Sequence, residues 1–226
     1  MKIDAVVFDM AGTTINEDNI VYKTLLKVVL KNGVQTDLPT VLQIGAGKEK
    51  YQAIKDIIDY AGFACSNALI NQMFQSFLIE LENAYDTFEI SAMPDAAFVF
   101  NSLRKAGVKV VLNTGYNRKT AESLLTKVGW EVGRDIDLLV TASDVKKNRP
   151  YPDMILLAKA QLGIPESGKL IKIGDSCIDI EEGIQAKCTF NIGITTGAQT
   201  EEQLKSATPN YIIHDLKSLL DCVDFS

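Results

Sequence analysis

The sequence contains few of the residues that bind zinc or build disulfide frameworks. Its 226 residues include four cysteines and one histidine. The cysteines are widely spaced and form no C-x-x-C pair, so the sequence predicts neither a zinc site nor a disulfide framework. The histidine, His214, lies in a segment close to the C-terminus and is interpreted as a structural residue.

Long apolar runs and basic tracts are also missing. No apolar run approaches the length of a membrane span, and the first residues lack the basic and then apolar pattern of a signal peptide. We therefore expect a cytoplasmic protein that does not bind membranes. The net charge is -6 and the lysines are scattered, which argues against a nucleic-acid-binding protein. An anionic substrate would need a metal ion or a few well-placed cations.

What the chain does contain is a regular alternation of short β-branched runs with helical patterns. This alternation predicts an α/β fold, a doubly wound Rossmann-like parallel sheet with helices on both faces. A weaker strand at the sheet edge and a final helix over residues 216–223 complete the pattern. The predicted strands are 3–8, 108–112, 138–141, 170–173, 189–194 and, at the edge, 211–213.

One long interval carries no strand signal and predicts a helical insert. Residues 15–90 are too long for a single crossover helix, and their apolar stripes predict three or four amphipathic helices. We expect a helical cap domain at 15–90 on a core domain formed by 1–14 and 91–226. The apolar stripe from 69 to 85 could form a homodimer contact or the cap's own core, so a homodimer stays open.

The first predicted strand ends in a carboxylate. Asp9 follows it directly, and a turn containing Ala11, Gly12 and Thr13 comes next. Ligands of open α/β sheets bind at the carboxyl ends of strands, so Asp9 could be a nucleophile or an oxygen ligand of a metal. A second carboxylate at the position of Ala11 could transfer protons, but alanine has no ionisable group.

Polar groups also follow the second and third strands. The segment 113–116 offers the Thr114 hydroxyl and free backbone N–H groups, which suit a phosphate but also form ordinary turns. The basic segment 146–153 ends between two prolines that fix its path, so Arg149 could point inward and bind phosphoryl oxygens. The alternative is that these cations are a solvated surface run.

The fourth strand is followed by two carboxylates four residues apart, Asp175 and Asp179. Asp175 could bind a metal directly while Asp179 supports the metal site, or Asp179 could be a simple charge at a helix N-terminus. Together with Asp9, three carboxylates would lie near one point and repel one another. The sequence therefore predicts a divalent, oxygen-binding ion, Mg²⁺.

In this order at strand ends, the four segments resemble the motifs of the haloacid dehalogenase superfamily. Ala11 and Arg149 resemble its phosphonoacetaldehyde hydrolase branch, since most phosphatases of the superfamily have aspartate at the first position. The resemblance implies that Asp9 attacks phosphorus and forms an aspartyl-phosphate. It implies that Thr114 and Arg149 bind the phosphoryl group and that Mg²⁺ is held by Asp9, the Ala11 carbonyl, Asp175 and Asp179. The predicted substrate-binding residues are Gly12, Thr13, Tyr51, Gly115 and Tyr116.

The cap carries a second resemblance. Cleavage of a phosphate ester needs an acid at the leaving oxygen, which Ala11 cannot supply, whereas an amine can turn a carbanion leaving group into an enamine. The segment 44–48 resembles the family's Met-Gly-x-x-Lys segment, which implies that Lys48 is the Schiff-base lysine. Judged without the resemblance, Lys48 is a solvated loop lysine. The segment is not a P-loop, because Leu42 replaces the required glycine.

Two positions depart from the branch as the resemblance defines it. Tyr51 and Asn19 stand where the family has a histidine and a cysteine, and the Tyr51 phenol could substitute or face the cap's core. The expected activity is Mg²⁺-dependent cleavage of the P–C bond of phosphonoacetaldehyde or a relative. The alternatives are a phosphatase for small phosphate monoesters and a ligand-binding or regulatory protein without turnover, and the complete set of motif residues argues against the last.

Overall fold

A six-stranded parallel sheet forms the centre of the protein. The computed structural model describes residues 2–225, and its sheet has the order β5-β4-β1-β6-β7-β8. All its neighbouring strands are parallel. The fold predicted from the sequence is therefore confirmed. The strands are β1 (Ala5–Phe8), β2 (Ile15–Asn16), β3 (Ser91–Ala92), β4 (Lys109–Thr114), β5 (Leu138–Thr141), β6 (Leu170–Gly174), β7 (Phe190–Ile194) and β8 (Tyr211–Ile213).

Ten α-helices accompany the sheet in residues 2–225. The first four lie between β2 and β3, and the other six lie between the later strands or follow them. They are α1 (Ile20–Lys31), α2 (Leu38–Gly45), α3 (Lys50–Tyr60), α4 (Asn67–Thr87), α5 (Ala96–Lys105), α6 (Arg118–Lys127), α7 (Asp153–Gln161), α8 (Cys177–Gln185), α9 (Glu201–Ser206) and α10 (Leu219–Cys222). Across the described chain, no helix is both long enough and apolar enough to cross a membrane.

The central position of β1 places its carboxyl end in the middle of the sheet edge. All four residues of β1 are apolar and buried, as expected for a parallel strand covered on both faces. Val7 pairs with Val111 of β4 on one side and with Lys172 of β6 on the other. The segments that follow these three strands therefore meet at one point.

The four helices α1 to α4, which we call the cap helices, bury apolar residues against one another. The stripe of α4 is buried in this chain, where α4 packs on α1 and α3. Its buried members are Ile70, Met73, Phe77, Leu81 and Tyr85. These members of the stripe therefore form part of the cap's own core, while Leu69 is half-buried.

Two short strands join the cap helices to the sheet. β2 and β3 pair antiparallel, with Ile15 opposite Ala92, so the outgoing and returning chain segments lie side by side. The sequence indicated no strand here because a ladder of two residues has no apolar alternation to detect. The last predicted helix is also shorter than expected, since Asp215 accepts hydrogen bonds from the Ser218 backbone and hydroxyl and holds a turn before α10.

Candidate active site

Three aspartates converge at the carboxyl end of the sheet. One oxygen from each of Asp9, Asp175 and Asp179 lies within 4.8 Å of the others, and all three side chains are buried. Burial and the neighbouring carboxylates raise the pKa of both Asp9 and Asp175. Burial also opposes ionisation of Asp179, but Arg149 and Lys172 outweigh it and lower the pKa of Asp179. Three clustered oxygen donors with excess negative charge fit Mg²⁺.

The loops after β1 and β7 fix the position of Asp175. The backbone N–H of Ala198 donates to Asp175 Oδ2 over 2.6 Å. A Cβ on Gly12 would collide with the same carboxylate, and Gly12 has a φ of 79° that favours glycine. The loop after β7, to which the sequence assigned no role, therefore orients a predicted metal ligand.

Arg149 points inward and is buried in the site. Its Nη1 lies 2.7 Å from Asp9 Oδ1 and 2.8 Å from Asp179 Oδ1, and its Nε lies 2.9 Å from Glu182 Oε2. Its Nη2 donates to both oxygens of Asn113. Burial opposes the charge, but these carboxylates raise the pKa of Arg149 well above its usual value. The interpretation of this cation as part of a solvated surface run is wrong.

Lys172 and Glu182 belong to the same site and were missed in the sequence. Lys172 Nζ, in the central strand β6, lies 2.9 Å from Asp179 Oδ1 and 2.7 Å from Asn113 Oδ1. Glu182 accepts hydrogen bonds from Asn113 Nδ2 at 2.9 Å. A lysine inside an otherwise apolar strand was the available signal, because a buried ammonium group requires partners.

We call these six ionisable groups the buried charge network: Asp9, Asp175, Asp179, Glu182, Arg149 and Lys172. Four carboxylates stand against two cations, so the fully ionised network carries two uncompensated negative charges. One divalent cation would cancel them, which is a second reason why the residues fit Mg²⁺.

The predicted phosphate-binding residues surround Asp9 and the end of β4. Thr13 Oγ1 is buried and has no hydrogen-bond partner among residues 2–225, so it is available to a ligand oxygen. Thr14 donates its hydroxyl to the Asp9 carbonyl. Thr114 is buried and accepts from the backbone N–H of Tyr116. A Cβ on Gly115 would lie 2.6 Å from the Lys48 carbonyl oxygen, so the cap loop contacts the core here.

The structure holds Lys48 and Tyr51 in contacts within the cap. Lys48 Nζ lies 2.5 Å from Asp56 Oδ2, and its side chain is 25% exposed. Tyr51 packs edge-on against Phe74, with ring centroids 5.7 Å apart. In the described part of the chain neither side chain forms an ion pair or hydrogen bond with Asp9. The sequence left open whether the Tyr51 phenol replaces the family's histidine or faces the core of the cap. In the structure the ring faces the core of the cap.

A different cap lysine is buried beside the core. Lys50 is 6% exposed, and its Nζ lies 5.4 Å and 5.3 Å from the ring centroids of Tyr22 and Tyr116. Its one hydrogen-bond acceptor among the described residues is the Lys48 carbonyl, at 2.6 Å. Burial lowers the pKa of Lys50, opposed by the charges of Asp9 and Glu49.

A buried carboxyl group lies behind these rings. Glu17 Oε2 accepts from the Val21 backbone at 3.0 Å and from the Tyr85 hydroxyl at 2.9 Å. The Tyr85 and Tyr116 hydroxyls are 2.8 Å apart. Burial, opposed by these hydrogen bonds, raises the pKa of Glu17 to about 7. Glu17, Tyr85 and Tyr116 thus form a hydrogen-bonded chain that the sequence did not indicate.

Two clefts open between the cap and the core. One, of about 410 Å³, is lined by Lys50, Gly115, Tyr116 and Asn148 among others. The other, of about 440 Å³, is lined by Lys48, Asp56, Arg149 and Tyr151 among others. The two lysines therefore face different clefts, and Glu49 lines both.

Comparison with known proteins gives consistent family and fold matches. A family model described as haloacid dehalogenase-like hydrolase matches residues 3–187. A phosphonoacetaldehyde hydrolase from Bacillus cereus strain AH187 is 31% identical over 211 residues, which cover 88% of this chain and 78% of that protein. A bifunctional phosphonoacetaldehyde hydrolase/aminoethylphosphonate transaminase from Clostridioides difficile is 25% identical over 98% of this chain and 36% of its own.

Solved structures reproduce the fold at lower identity. A hydrolase from Pseudomonas syringae has a TM-score of 0.85 at 19% identity, covering 96% of each chain. A phosphonoacetaldehyde hydrolase-like protein from Oleispira antarctica has a TM-score of 0.85 at 22% identity, covering 98% of this chain and 91% of its own. Because the family model spans most of the sheet and all of the cap helices, the chain belongs to the haloacid dehalogenase-like hydrolase family and is an enzyme.

Proposed function

We propose that the protein is a Mg²⁺-dependent hydrolase that cleaves the P–C bond of phosphonoacetaldehyde or a close relative through an aspartyl-phosphate at Asp9. The observation that carries the proposal is an Asp9 nucleophile whose loop has Ala11 in place of an acid, while lysines of the cap flank the site. The relatives named phosphonoacetaldehyde hydrolase support the same substrate class.

Asp9 is oriented for attack by its cationic neighbour. Arg149 binds Asp9 Oδ1, and no donor among residues 2–225 contacts Oδ2, which leaves Oδ2 to attack phosphorus. Arg149 then stabilises the charge of the transferring phosphoryl group, and the hydroxyls of Thr13 and Thr114 are available to its oxygens. Water hydrolyses the aspartyl-phosphate in the second half of the reaction.

The residues that would hold Mg²⁺ are Asp9, the Ala11 carbonyl and Asp175, with Asp179 supporting them. When bound, the ion supplies positive charge that polarises the phosphoryl group. Asp175 is held in place for this role by Ala198, and Asp179 by Lys172 and Arg149.

The leaving group explains the need for an amine. Breaking the P–C bond of the free aldehyde would expel a carbanion, whereas an iminium at the adjacent carbon accepts the electron pair as an enamine. The family resemblance assigns this amine to Lys48, and Lys50 is a second lysine close by at the start of α3.

A phosphatase for small phosphate monoesters is the second candidate. The observation that favours it is Glu17, whose raised pKa of about 7 keeps part of this buried carboxyl group protonated at neutral pH. Such a carboxyl group could donate a proton to a leaving oxygen in place of the acid that is missing at Ala11.

The test measures both products from phosphonoacetaldehyde in the presence of Mg²⁺. Acetaldehyde is followed by a coupled reductase and phosphate by a colorimetric assay, with Asp9→Asn as the control without a nucleophile. We expect equal amounts of acetaldehyde and phosphate from the wild type and neither from the variant. Hydrolysis of phosphate monoesters without release of acetaldehyde would refute P–C cleavage and select the second candidate.

A further inference from the structure

We propose that the cleft beside Lys146 and Lys147 binds a carboxylate on the organic part of the substrate. The substrate class is then phosphonates with a second negative charge, that is, carboxylated relatives of phosphonoacetaldehyde. This proposal rests on the proposed function, because it takes the phosphoryl group to be bound beside Asp9 and Arg149. It depends on the position of the cleft, on the ionic partners of its lysines and on an unpaired amide group.

The cleft adjoins the arginine that binds Asp9. We call it the lysine cleft; its volume is about 440 Å³, and its lining includes Lys48, Lys146, Lys147, Asn148 and Arg149. Arg149 Nη1 also lies 2.7 Å from Asp9 Oδ1. A substrate whose phosphoryl group contacts Arg149 therefore has the lysine cleft within reach of its organic part. The lining of the cleft of about 410 Å³ does not include Arg149.

Two of the four cations that line the lysine cleft have no ionic partner. Lys48 Nζ lies 2.5 Å from Asp56 Oδ2, and Arg149 is bound by buried carboxylates. Within residues 2–225, no carboxylate oxygen lies within 4.0 Å of the ammonium group of Lys146 or Lys147. Both lysines are exposed, so a ligand that enters from solvent meets them. They can bind an anion without first giving up an ion pair.

The second carboxylate of the lining is used within the cap. Glu49 lines the lysine cleft, and its two oxygens accept from the backbone N–H groups of Tyr51 and Gln52 at 2.9 Å. Lys146 and Lys147 outnumber this carboxylate, so the cleft has an excess of positive charge in a protein of net charge -6. A cleft with charge of one sign raises the local concentration of oppositely charged ligands.

The loop after β5 holds one of the two lysines at the cleft. The Tyr151 backbone N–H donates to the Asn148 carbonyl at 3.1 Å and closes a turn. Lys147 Nζ lies 4.9 Å from the centroid of the Tyr151 ring, which also lines the cleft. The face of an aromatic ring attracts an ammonium group but does not neutralise its charge. Lys147 is therefore kept near the cleft with its charge available to a ligand.

An unpaired amide lies between the lysines and the arginine in the chain. Asn148 Oδ1 is buried and has no hydrogen-bond partner among residues 2–225. Buried polar atoms are normally paired, so an unpaired one in a cleft indicates a place for a ligand or a water molecule. A side-chain amide offers an acceptor and two donors, and the donors suit a carboxylate. Asn148 thus adds a neutral donor beside the two cations.

Calorimetric titration with two inert phosphonates tests the proposal in the presence of Mg²⁺. The ligand 3-phosphonopropionate and its control propylphosphonate have the same phosphonate group and three carbons each, and only the first carries a carboxylate. We expect 3-phosphonopropionate to bind the wild type about tenfold more tightly, because its carboxylate forms charge-assisted hydrogen bonds with the lysines. Equal dissociation constants of the two ligands in the wild type would overturn the proposal.

Removal of the two cations should abolish this preference. In the double variant Lys146→Met, Lys147→Met, we expect the two dissociation constants to differ by less than about twofold. The matched control is the double variant Lys105→Met, Lys169→Met, which removes the same charge at exposed lysines outside the cleft. The control should retain the tenfold preference. An equal loss in both double variants would show that net charge causes the preference, and the proposal would fail.

The amide is tested separately. Asn148→Ala should lower the preference for 3-phosphonopropionate by about threefold and leave the dissociation constant of propylphosphonate nearly unchanged, since a single neutral donor is lost. Thermal unfolding checks that each variant is folded, and the comparison of the two ligands in the wild type depends on no variant. An unchanged preference in Asn148→Ala would overturn the assignment of Asn148 to this subsite.

Competition with inorganic phosphate places both ligands and separates this proposal from the proposed function. Phosphate should weaken the binding of both phosphonates, because all three occupy the phosphoryl site beside Arg149. Binding of 3-phosphonopropionate that phosphate does not weaken would place it elsewhere and overturn the proposal. If the wild type releases no acetaldehyde from phosphonoacetaldehyde but keeps the carboxylate preference, the proposed function fails and the subsite stands. If it releases acetaldehyde but binds both ligands equally, the subsite fails and P–C cleavage stands.

Discussion

Arg149 connects Asp9 with the helix that follows β6. Its guanidinium group binds Asp9 on one side and both Asp179 and Glu182 of α8 on the other, in a fully buried position. A planar group with several donors can hold these carboxylates at once, which an ammonium group cannot do. Arg149 therefore has a structural role in addition to its proposed role toward the phosphoryl group.

Replacement of Arg149 should reduce both activity and stability. Arg149→Met leaves the buried carboxylates of Asp9 and Glu182 without this partner, so we expect the free energy of unfolding to fall by about 3–5 kcal/mol. Activity should fall by about two orders of magnitude or more, because charge stabilisation at phosphorus is lost. Urea unfolding in the presence of a chelator and steady-state kinetics measure the two effects.

The matched control is Arg134→Met, which removes a half-exposed arginine that pairs with Glu131 and Asp135. Exposed pairs of this kind contribute about 0–1 kcal/mol, so the control should retain nearly full stability and activity. Equal losses in the two variants would contradict the buried role of Arg149.

Glu17 makes the stability of the protein depend on pH. Burial, opposed by its hydrogen bonds to Tyr85 and Val21 and by the charge of Lys50, raises the pKa of Glu17 from 4.5 to about 7 in the folded state. The folded state therefore binds the proton more tightly than the unfolded chain. Its contribution to stability is complete below about pH 4.5 and is lost as the pH rises to about 7.

Glu17→Gln should remove this dependence of stability on pH. The glutamine keeps an oxygen that can accept from the Val21 backbone N–H and the Tyr85 hydroxyl. The rise in the pKa of Glu17 from 4.5 to about 7 corresponds to at most about 3.4 kcal/mol of unfolding free energy. We expect the variant to gain stability relative to the wild type as the pH rises from 4.5 to 7, and the difference to be constant above that range. Urea unfolding over this pH series measures it, and parallel curves for the two proteins would disprove the assignment.

At the level of elements, the contact between the cap and the core depends on the absence of a side chain at Gly115. The residue follows β4, and a Cβ there would lie 2.6 Å from the Lys48 carbonyl oxygen and 3.0 Å from the Gly47 carbonyl oxygen. These atoms are backbone, so they cannot move away as a side-chain tip can. The loop between α2 and α3 would have to shift away from β4.

Gly115→Ala should therefore separate the cap loop from the core. We expect a loss of about 1–3 kcal/mol in unfolding free energy and a fall in kcat/KM, because the Gly47 carbonyl that accepts a hydrogen bond from Arg149 moves with the loop. Gly45→Ala, at the end of α2 nearby, is the control, since its Cβ would meet Ala53 at an ordinary 3.5 Å. Stability and kinetics of both variants test the contact, which is refuted if Gly115→Ala behaves like Gly45→Ala.

The elements differ in how far the sequence predicts them. The sheet strands were predictable because each is a local run of apolar residues, and Asp9, Asp175 and Asp179 were predictable because strand ends of a parallel sheet meet at one edge. The length of α10 was not, since a single side-chain turn at Asp215 decides where it begins.

The remaining part of the site depends on contacts between distant segments. Lys172 Nζ reaches Asn113 Oδ1 at 2.7 Å only because β6 and β4 flank β1 in the sheet. Lys50 and the Tyr85 hydroxyl both lie against Tyr116, so their positions depend on packing between residues that are far apart in the sequence. The resemblance points to the loop before α3, and a difference of two residues along the start of α3 decides which lysine is buried.

At the level of the whole molecule, the fold buries more negative than positive charge in one region. The sheet, the loop after β5 and α8 bring four carboxylates and two cations of the buried charge network into one buried region. Repulsion between them raises the pKa of Asp9 and Asp175, after the larger effect of burial. Buried charges without compensation destabilise a folded protein, so a bound divalent cation should stabilise the whole chain.

Mg²⁺ should accordingly raise the melting temperature. At about one hundred times its dissociation constant, a ligand of the folded state adds about 2.7 kcal/mol, which corresponds to about 5–10 °C for a chain of this size. The rise in melting temperature should be larger at higher pH, since protons compete with Mg²⁺ for Asp9 and Asp175, whose pKa values are raised.

The variant Asp175→Asn tests which residues bind the ion, and Mg²⁺ should raise its melting temperature by less than that of the wild type. In the presence of a chelator this variant should need more denaturant to unfold, because one repulsive charge is gone. Asp135→Asn, on the exposed loop after α6, should respond to Mg²⁺ as the wild type does. A melting temperature of the wild type that is independent of Mg²⁺ would show that the network balances its charge by protonation alone.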